Sequence, residues 1–373
     1  LRQRFLRSRL IQLILLYTLV QLVWGFVAYG MHHVTPKAMG YGLIVNLRLP
    51  AFFAVTWVLA QKSHTLPKRW RPLVYGPAIA VIVIGLLQYF VLPYDFLRHF
   101  GYGPDTINPY ETINHNVHYI RAMSTLRGAN PLGAYLVLIL SLLFVEWRRQ
   151  WRDWQFAILP VAGLIVLVLS FSRAAWVGLL LAGAVVGSTM LKTRTAQRTT
   201  ALVLTALVVI AAGLFAGFRH NTTFQNVFAH TQDHSLVATT SNGGHTSALR
   251  SGAHDVLHEP LGRGVGTAGP ASIYNDNKGR IAENYFIQIG QETGWIGLLL
   301  FISICVVLGR ELWLRRQDDL ALGLLAALVG LSFVNLLSHA WADDTLAYVF
   351  WGLAGIALAK PIVKTKTETK HAK

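Results

Sequence analysis

The sequence predicts an all-α polytopic membrane protein with about ten transmembrane helices. Hydrophobic residues make up 53% of the 373 residues, charged residues make up 13%, and the mean hydropathy is +0.44. A water-soluble domain of this composition would expose large apolar patches, whereas a bilayer solvates them. Apolar runs of about 20 residues, the length that a helix needs to cross a hydrocarbon core of roughly 30 Å, recur along the chain.

Ten apolar segments are the predicted spans: residues 10–30, 41–61, 73–92, 130–146, 155–171, 174–191, 200–217, 284–308, 319–338 and 344–361. A large outer loop, residues 218–283, separates the seventh and eighth of these helices. We interpret residues 1–373 as a single membrane domain with this extracytoplasmic loop inserted between transmembrane helices. The single cysteine, Cys305, lies in the eighth span, so the chain forms no internal disulfide.

The distribution of basic residues predicts that both termini are cytoplasmic. In that orientation 22 of the 33 Lys and Arg residues lie at the inner ends of helices, as the positive-inside rule requires. The net charge of +16 then reflects orientation and not nucleic-acid binding. The other 11 basic residues and 12 of the 14 histidines lie on the outer side. Because positive charge sets no topology there, we expect the chemistry at the outer face.

Two arginines occupy positions where a charge is costly. Arg173 lies in a tight turn between two apolar helices, and Arg48 lies about two turns inside its helix. An arginine near hydrocarbon must snorkel, pair with another group or face a polar cavity. We interpret Arg173 as a ligand contact in preference to an interfacial anchor. For Arg48, a buried structural partner and a functional role fit equally well.

A polar group lies between the last two predicted helices, where residues 331–352 read LSFVNLLSHAWADDTLAYVFWG. Asn335, His339, Asp343 and Asp344 fall within this short stretch. We interpret them as the outer mouth of a cavity in the bundle. The alternative is that His339 is a buried hydrogen-bonding residue and that the two aspartates cap the final helix.

The outer loop contains a candidate amphipathic helix, SALRSGAHDVLHE, which the turn PLGRGVG ends. Its predicted apolar side consists of Leu249, Ala253, Val256 and Leu257. The neighbouring stripe carries Arg250, His254 and His258. Two histidines four residues apart suit zinc, but the Glu of H-E-x-x-H and an obvious third ligand are missing. A metal-dependent hydrolase is therefore the weaker interpretation.

Four fragments, in this order, resemble the bacterial O-antigen ligase and O-antigen polymerase family. They are RAMSTLRGANPLGAYLVL (121–138), FSRAAWVGLLLA (171–182), LRSGAHDVLHEPLGRGVG (249–266) and ENYFIQIGQETGWIGLLLF (283–301). The resemblance spans about residues 115 to 355 and implies a fold similar to C-class glycosyltransferases. Family members act on polyprenyl-diphosphate-linked glycans at the outer face of the cytoplasmic membrane. Where the family often has His-Asn, this chain has Glu283-Asn284; we expect Glu283 to pair with an outer arginine or to cap the following helix.

The resemblance also implies a site. His339 takes the place of the family's functional histidine, and Arg173 and Arg250 match the arginines that hold the lipid diphosphate. Arg48 and Arg121 are further candidates, because guanidinium groups suit phosphate oxygens and make a metal or cofactor unnecessary. With an ordinary pKa of about 6.5, an imidazole suits general-base work. We expect His339 to be the base, with Asp343 or Asp344 orienting it from one helical turn away; its alternative role is to bind the diphosphate as imidazolium.

The predicted function is that of an O-antigen ligase-like, metal-independent and inverting glycosyltransferase in the bacterial cytoplasmic (inner) membrane. Its expected partners are a polyprenyl-diphosphate-linked glycan donor, a glycan or lipid acceptor and membrane lipid, with no nucleic acid. A polysaccharide polymerase of the same family is one alternative. An anion or lipid-linked solute transporter is another, with Arg48 and Arg173 along its pathway. The clustering of polar residues on one face argues against transport.

Overall fold

The structure is a computed structural model. It describes residues 8–63, 65–113, 116–148, 153–190, 217, 221, 241–276 and 279–359. The helices of the described residues are α1 (Arg9–Gly30), α2 (Pro36–Lys62), α3 (Thr65–Phe90), α4 (Ala129–Trp147), α5 (Gln155–Leu169), α6 (Arg173–Met190), α7 (Ser241–His258), α8 (Tyr285–Leu314), α9 (Asp319–Asn335) and α10 (Asp344–Ala359). Two strands, β1 (Glu111–Ile113) and β2 (Asn116–Arg121), form a hairpin, and short 3-10 turns cover Phe96–Phe100, Gly269–Tyr274 and Ala340–Ala342.

The helices confirm an all-α polytopic membrane protein and correct the lengths of its predicted spans. Among the described residues, five helices are long and apolar enough to cross a membrane, namely α1, α2, α3, α4 and α8. Four others, α5, α6, α9 and α10, are apolar but shorter. The seventh predicted span, residues 200–217, lies outside the described residues except for its last position. The short helices are joined in two pairs, α5 to α6 and α9 to α10.

Helix α4 is the centre of the bundle. In its most apolar stretch 78% of the residues are buried, against 28% to 44% for the other four long helices. Helix α9 packs against both α4 and α6, α10 packs along α2, and α8 packs along α1. Because the outer surfaces of the peripheral helices are apolar and exposed, the bundle presents to its surroundings the surface that a bilayer solvates.

An antiparallel hairpin, which we did not predict, precedes α4. Its register pairs Glu111 with Arg121 and Thr112 with Ile120. The Glu111 carboxylate accepts a hydrogen bond from the backbone N–H of Ala129 at the start of α4, at 3.2 Å, and lies 3.4 Å from the Arg121 guanidinium. The hairpin thereby fixes Arg121 beside the beginning of the central helix.

The predicted turn PLGRGVG packs into a kink in α8. At Gly294 the backbone leaves helical geometry, with φ 63° and ψ −162°. The Trp295 N–H donates to the Pro260 carbonyl at 3.0 Å, and the Gly264 N–H donates to the Glu292 carbonyl at 2.7 Å. The turn therefore satisfies backbone groups that the kink would leave unpaired.

The side chain of Glu292 joins this turn to the membrane helices. It is fully buried, and its carboxylate accepts hydrogen bonds from the Gly266 N–H at 2.9 Å and from the Asn46 side chain of α2 at 2.7 Å. Asn46 also donates to Gln21 of α1 at 3.0 Å. A buried network of this kind fixes the position of the outer loop relative to α1, α2 and α8.

Replacing Gly294 by alanine should destabilise the protein by about 2 kcal/mol, because its positive φ is unfavourable for an L-residue. A Cβ at this position would also lie 2.1 Å from the Pro260 carbonyl oxygen. Thermal unfolding in detergent measures the effect. The matched control is Gly183→Ala in α6, where a Cβ meets nothing within 4 Å; this control should unfold at or slightly above the wild-type temperature. Equal unfolding temperatures for the two variants would contradict the assigned role of the kink.

Candidate functional site

The candidate site lies at the end of the bundle where the short helices are joined. Residues 170–172 connect α5 to α6, and residues 336–343 connect α9 to α10. The starts of α4 and α8 lie at the same end, and α7 of the outer loop packs against α8. Side chains from all of these segments line two adjoining cavities.

The first, which we call the basic cavity, has a volume of about 390 Å³ and contains two arginines, Arg121 and Arg173. The turn at the end of α5 and the start of α6 form one side of it, and the end of α9 forms another. Its apolar lining includes Phe171, Val177, Leu249, Phe333, Val334 and Leu337. A cavity that combines two guanidinium groups with apolar walls suits an amphiphilic anion.

Arg121 is held rigidly at this cavity. Its Nε donates to the Ser170 carbonyl at 2.9 Å, its Nη2 donates to Asn130 Oδ1 at 2.7 Å, and Glu111 lies on its other side. Burial lowers the pKa of Arg121, and the Glu111 carboxylate acts in the opposite direction. Because an arginine starts from a pKa above about 12, it stays charged at neutral pH.

Arg173 is the first residue of α6 and follows a strained turn in which Phe171 has a φ of 51°. The two guanidinium groups are close enough to repel each other. Two like charges facing one cavity are stabilised when an anion binds between them. The structure thus brings two of the candidate diphosphate ligands, Arg121 and Arg173, to one cavity, whereas the resemblance had implied Arg173 and Arg250.

The second cavity, the polar cavity, has a volume of about 420 Å³. It shares Asn130, His245 and Ser338 with the basic cavity, so the two adjoin. The titratable groups in its lining are Glu111, Arg127, His245, Glu283, His339 and Asp343.

His339 lies in this polar cavity, and its surroundings correct the prediction of its carboxylate partner. It precedes the 3-10 turn Ala340–Ala342 in the link between α9 and α10. The Tyr285 N–H donates to the Ser338 carbonyl at 3.1 Å, and the Asn284 side chain donates to the Leu336 carbonyl at 2.9 Å. These bonds join the start of α8 to the link and make Glu283 the carboxylate that interacts with His339.

The environment of His339 favours its neutral form. Burial lowers the pKa of its imidazole below the ordinary value, and Arg127 and His245 lower that pKa further, whereas Glu283 raises it. A neutral imidazole at physiological pH can accept a proton. Its charge and position therefore fit the general base that the sequence predicted.

From the sequence we expected Glu283 to cap a helix or to pair with an arginine. Among the described residues it does neither. Asn284 is the N-cap of α8 and accepts from the Ile287 N–H at 3.0 Å. The Glu283 carboxylate forms an ion pair with Nδ1 of His245, and this hydrogen bond, opposed by burial, holds the pKa of Glu283 below its usual value. Glu283 also has a positive φ of 52°. Backbone strain in a residue of this type is typical of functional positions.

The two aspartates do not orient His339. Asp343 accepts a hydrogen bond from the Leu346 N–H at 3.2 Å and so caps α10, which was the alternative interpretation. Burial raises the pKa of Asp343, whereas the Leu346 N–H and Arg127 lower that pKa. Asp344 forms an ion pair with Arg48. The chain from His339 to Asp343 is a 3-10 turn, in which residues four apart do not share a face as they do in an α-helix.

Arg48 has a structural environment. Besides its ion pair with Asp344, it donates a hydrogen bond to the Ala342 carbonyl. It lines neither the basic nor the polar cavity. The structural interpretation of Arg48 therefore has direct support, because these contacts offset the burial of its charge.

The outer-loop helix α7 differs from its prediction in length and orientation. It begins at Ser241, six residues earlier than predicted. Its inward face carries His245, Leu249, Gly252 and Val256, whereas Ala253 and Leu257 are exposed. A Cβ on Gly252 would lie 2.6 Å from the Ala282 Cβ, so the glycine allows α7 to approach the chain next to Glu283.

Arg250 is exposed on α7 and lines neither cavity. The structure therefore does not bring it together with Arg121 and Arg173. His254 and His258 stack on each other with ring centroids 3.9 Å apart, and His258 Nδ1 donates to the His254 carbonyl. Among the described residues, no group of three or more His, Cys, Asp or Glu is placed to hold a metal ion.

Three residues of the site were missed by the sequence analysis: Glu111, Arg127 and His245. His245 precedes Leu249 by four residues, so an earlier helix start would have placed it on the apolar, inward face. Glu111 and Arg127 flank β2, a short strand with no strong sequence signal. Their convergence depends on the register of the hairpin, which hydropathy does not report.

Replacing Asp344 by asparagine should lower stability by about 2 kcal/mol, because Arg48 would stay buried without its counter-charge. We place the effect below that of a fully buried pair because the Asp344 side chain is 54% exposed. Asp95→Asn, which removes the partner of the exposed Arg98, is the matched control and should change stability by less than about 0.5 kcal/mol. Thermal unfolding of the two variants measures the difference, and an unchanged Asp344→Asn protein would refute the structural role of the pair.

Comparison with known families agrees with the geometry. Residues 158–302 match the family described as O-Antigen ligase. The matched region contains Arg173, His245 and Glu283 and ends within α8. No curated protein matches the chain significantly. The match covers about two fifths of the chain, and it names the family that the four sequence fragments resemble.

Proposed function

We propose that the protein transfers a glycan from a polyprenyl-diphosphate donor to a hydroxyl group of a glycan or lipid acceptor. The reaction takes place at the outer face of the bacterial cytoplasmic membrane, and both termini are cytoplasmic. The observation that carries this proposal is the pair Arg121 and Arg173 in one cavity that adjoins a second cavity with a buried histidine, His339.

The basic cavity has the chemistry of a polyprenyl-diphosphate site. Arg121 and Arg173 bind the diphosphate through charge-assisted hydrogen bonds. Val177 and Leu337 of the apolar lining are each 40% exposed, so this wall reaches the surface that faces lipid. The polyprenyl chain leaves the cavity along these side chains, and the glycan extends toward the polar cavity.

The polar cavity receives the acceptor hydroxyl. His339 removes its proton as the oxygen attacks the anomeric carbon. The diphosphate leaves on the opposite side, where the two arginines stabilise its developing charge. A single displacement of this kind inverts the configuration of the anomeric carbon. In this proposal the arginines supply the positive charge that a divalent metal ion supplies in other phosphate sites.

We assign the ligase reaction, in which the acceptor is a surface anchor such as a lipid-linked core glycan. The polymerase of the same family uses a second lipid-linked repeat unit as acceptor. Purified protein incubated with lipid-linked repeat units alone distinguishes the two reactions. Longer lipid-linked chains in that mixture would identify a polymerase and refute the ligase assignment.

Removing either arginine of the basic cavity should weaken binding of undecaprenyl diphosphate by about tenfold or more, since a charge-assisted hydrogen bond contributes about 1.5–3 kcal/mol. Native mass spectrometry or a fluorescence titration of Arg121→Ala and Arg173→Ala in detergent measures the change. Arg98→Ala, at an exposed outer arginine that lines neither cavity, is the control and should bind as the wild type does.

Glycan transfer from polyprenyl-diphosphate-linked glycan, extracted from the organism's own membranes, should fall with the same variants. If the wild-type protein neither binds the lipid diphosphate nor transfers glycan, the proposed function is wrong. Equal binding by Arg173→Ala and wild type would refute the assignment of the basic cavity.

His339→Gln should lower kcat by about 10² to 10⁴ fold, the range expected when a general base is removed. In the wild type, activity should decline as the pH falls through the pKa of His339, because only the neutral imidazole accepts a proton. Burial lowers that pKa, so the decline should lie on the acid side of the usual histidine range. A pH profile of transfer measures both effects, and a folded His339→Gln protein with full activity would rule out the base.

A further inference from the structure

We propose that His245 protonates the departing diphosphate and that Glu283 holds His245 in the orientation for this transfer. This inference rests on the proposed function and deepens it by assigning the leaving-group side of the reaction. His245 is the proton donor, and Glu283 is a positioning residue.

The first support is the position of His245 between the two cavities. Its side chain lines the basic cavity together with Arg121 and Arg173, and it lines the polar cavity together with His339. A group at this junction lies between the site for the diphosphate and the site for the acceptor. No other titratable residue of the described lining belongs to both cavities.

The second support is the arrangement around Glu283. Its carboxylate contacts His245 Nδ1, and Glu283 lines the polar cavity together with His339. A carboxylate on Nδ1 fixes the orientation of an imidazole and leaves Nε2 for proton transfer. Glu283 thus orients the histidine that lies between the two cavities.

The third support is that three independent features hold this arrangement. The close approach at Gly252 places α7 against Ala282, and the hydrogen bond from the Tyr285 N–H to the Ser338 carbonyl places Glu283 beside the link that carries His339. Glu283 itself keeps a positive φ of 52°, a conformation that costs about 1–3 kcal/mol unless its surroundings maintain it.

The charges around His245 suit a cationic proton donor. Glu283 supplies the negative charge that stabilises an imidazolium, whereas the nearby cations are positioned to hold the diphosphate. The charged and titratable groups that line its two cavities are Arg121, Arg173, Glu111, Arg127, Glu283, His339 and Asp343.

The proton balance of the reaction closes with these residues. The acceptor oxygen forms a bond to the anomeric carbon, and its proton passes to His339. The bond between the anomeric carbon and the phosphate oxygen breaks, its electron pair stays on that oxygen, and His245 gives the oxygen a proton. His339 then releases its proton to water, and His245 takes up a proton from water at Nε2. The net change moves one proton from the acceptor hydroxyl to the released lipid diphosphate.

The test compares His245→Gln with His254→Gln. Both substitutions lie on α7, but His254 is exposed and lines neither cavity. We expect His245→Gln to lower kcat about a hundredfold or more, as for loss of a general acid, and to remove the alkaline decline from the pH profile of transfer. The acid decline that His339 produces should persist, and His254→Gln should match the wild type in both respects.

A purely structural role for His245 would lower activity without removing one limb of the profile. A folded His245→Gln protein that keeps the alkaline decline would therefore overturn the proposal. Glu283→Gln provides a second measurement, including the case in which His245→Gln does not fold. It should lower kcat, because His245 loses the carboxylate that orients its ring; an unchanged kcat would overturn the positioning role of Glu283.

The same measurements separate this inference from the proposed function. If the wild-type protein transfers glycan and loses activity with His339→Gln but not with His245→Gln, the proposed function stands and the assignment of His245 as proton donor is wrong. If the wild-type protein transfers no glycan and does not bind undecaprenyl diphosphate, both are wrong.

Discussion

The geometry of the candidate site depends on two hydrogen bonds between the start of α8 and the link that follows α9. The Tyr285 N–H donates to the Ser338 carbonyl, and the Asn284 side chain donates to the Leu336 carbonyl. In a membrane protein, backbone groups outside regular helices must find partners within the protein. Here the carbonyls of the link accept the hydrogen bonds that the start of α8 donates. As a consequence, Glu283 and His339 come from distant parts of the sequence and lie side by side.

The arginines of the outer side differ in what they face. Arg48 has a carboxylate partner and a carbonyl acceptor within the protein and lines neither cavity. Arg121 also has a carboxylate and a carbonyl acceptor, Glu111 and the Ser170 carbonyl, but it lines a partly apolar cavity together with Arg173. This difference, which only the three-dimensional contacts reveal, separates a structural arginine from the candidate ligands.

The sequence predicted the helices well because a single physical property, apolar length, determines them. Nine of the ten predicted spans correspond to described apolar helices. It also identified Arg121, Arg173 and His339 at the cavities, since charged groups at a membrane boundary are costly wherever they occur. The partner of His339 was predicted wrongly, because Asp343 is adjacent in sequence but is used as a helix cap, whereas Glu283 is 56 residues away. Local spacing cannot report contacts that depend on how α7 and α8 pack.

The ends of two helices explain how a polar site forms at the membrane boundary. Helices α5 and α9 end at Leu169 and Asn335, and the links that follow them line the two cavities together with residues from the start of α4 and from α7. This space does not continue through the described part of the bundle. The buried apolar residues Leu136, Val137, Leu138, Ile139 and Leu140 of α4 fill the centre.

At the opposite end of the bundle, ion pairs join neighbouring helices, Arg71 with Glu146 and Arg148 with Asp319. A transporter requires polar groups at successive depths along a pathway, whereas the cavities described here gather them at one end. An arrangement of two arginines, two histidines and a carboxylate in two adjoining cavities instead suits a reaction in which both reactants meet at one end of the bundle.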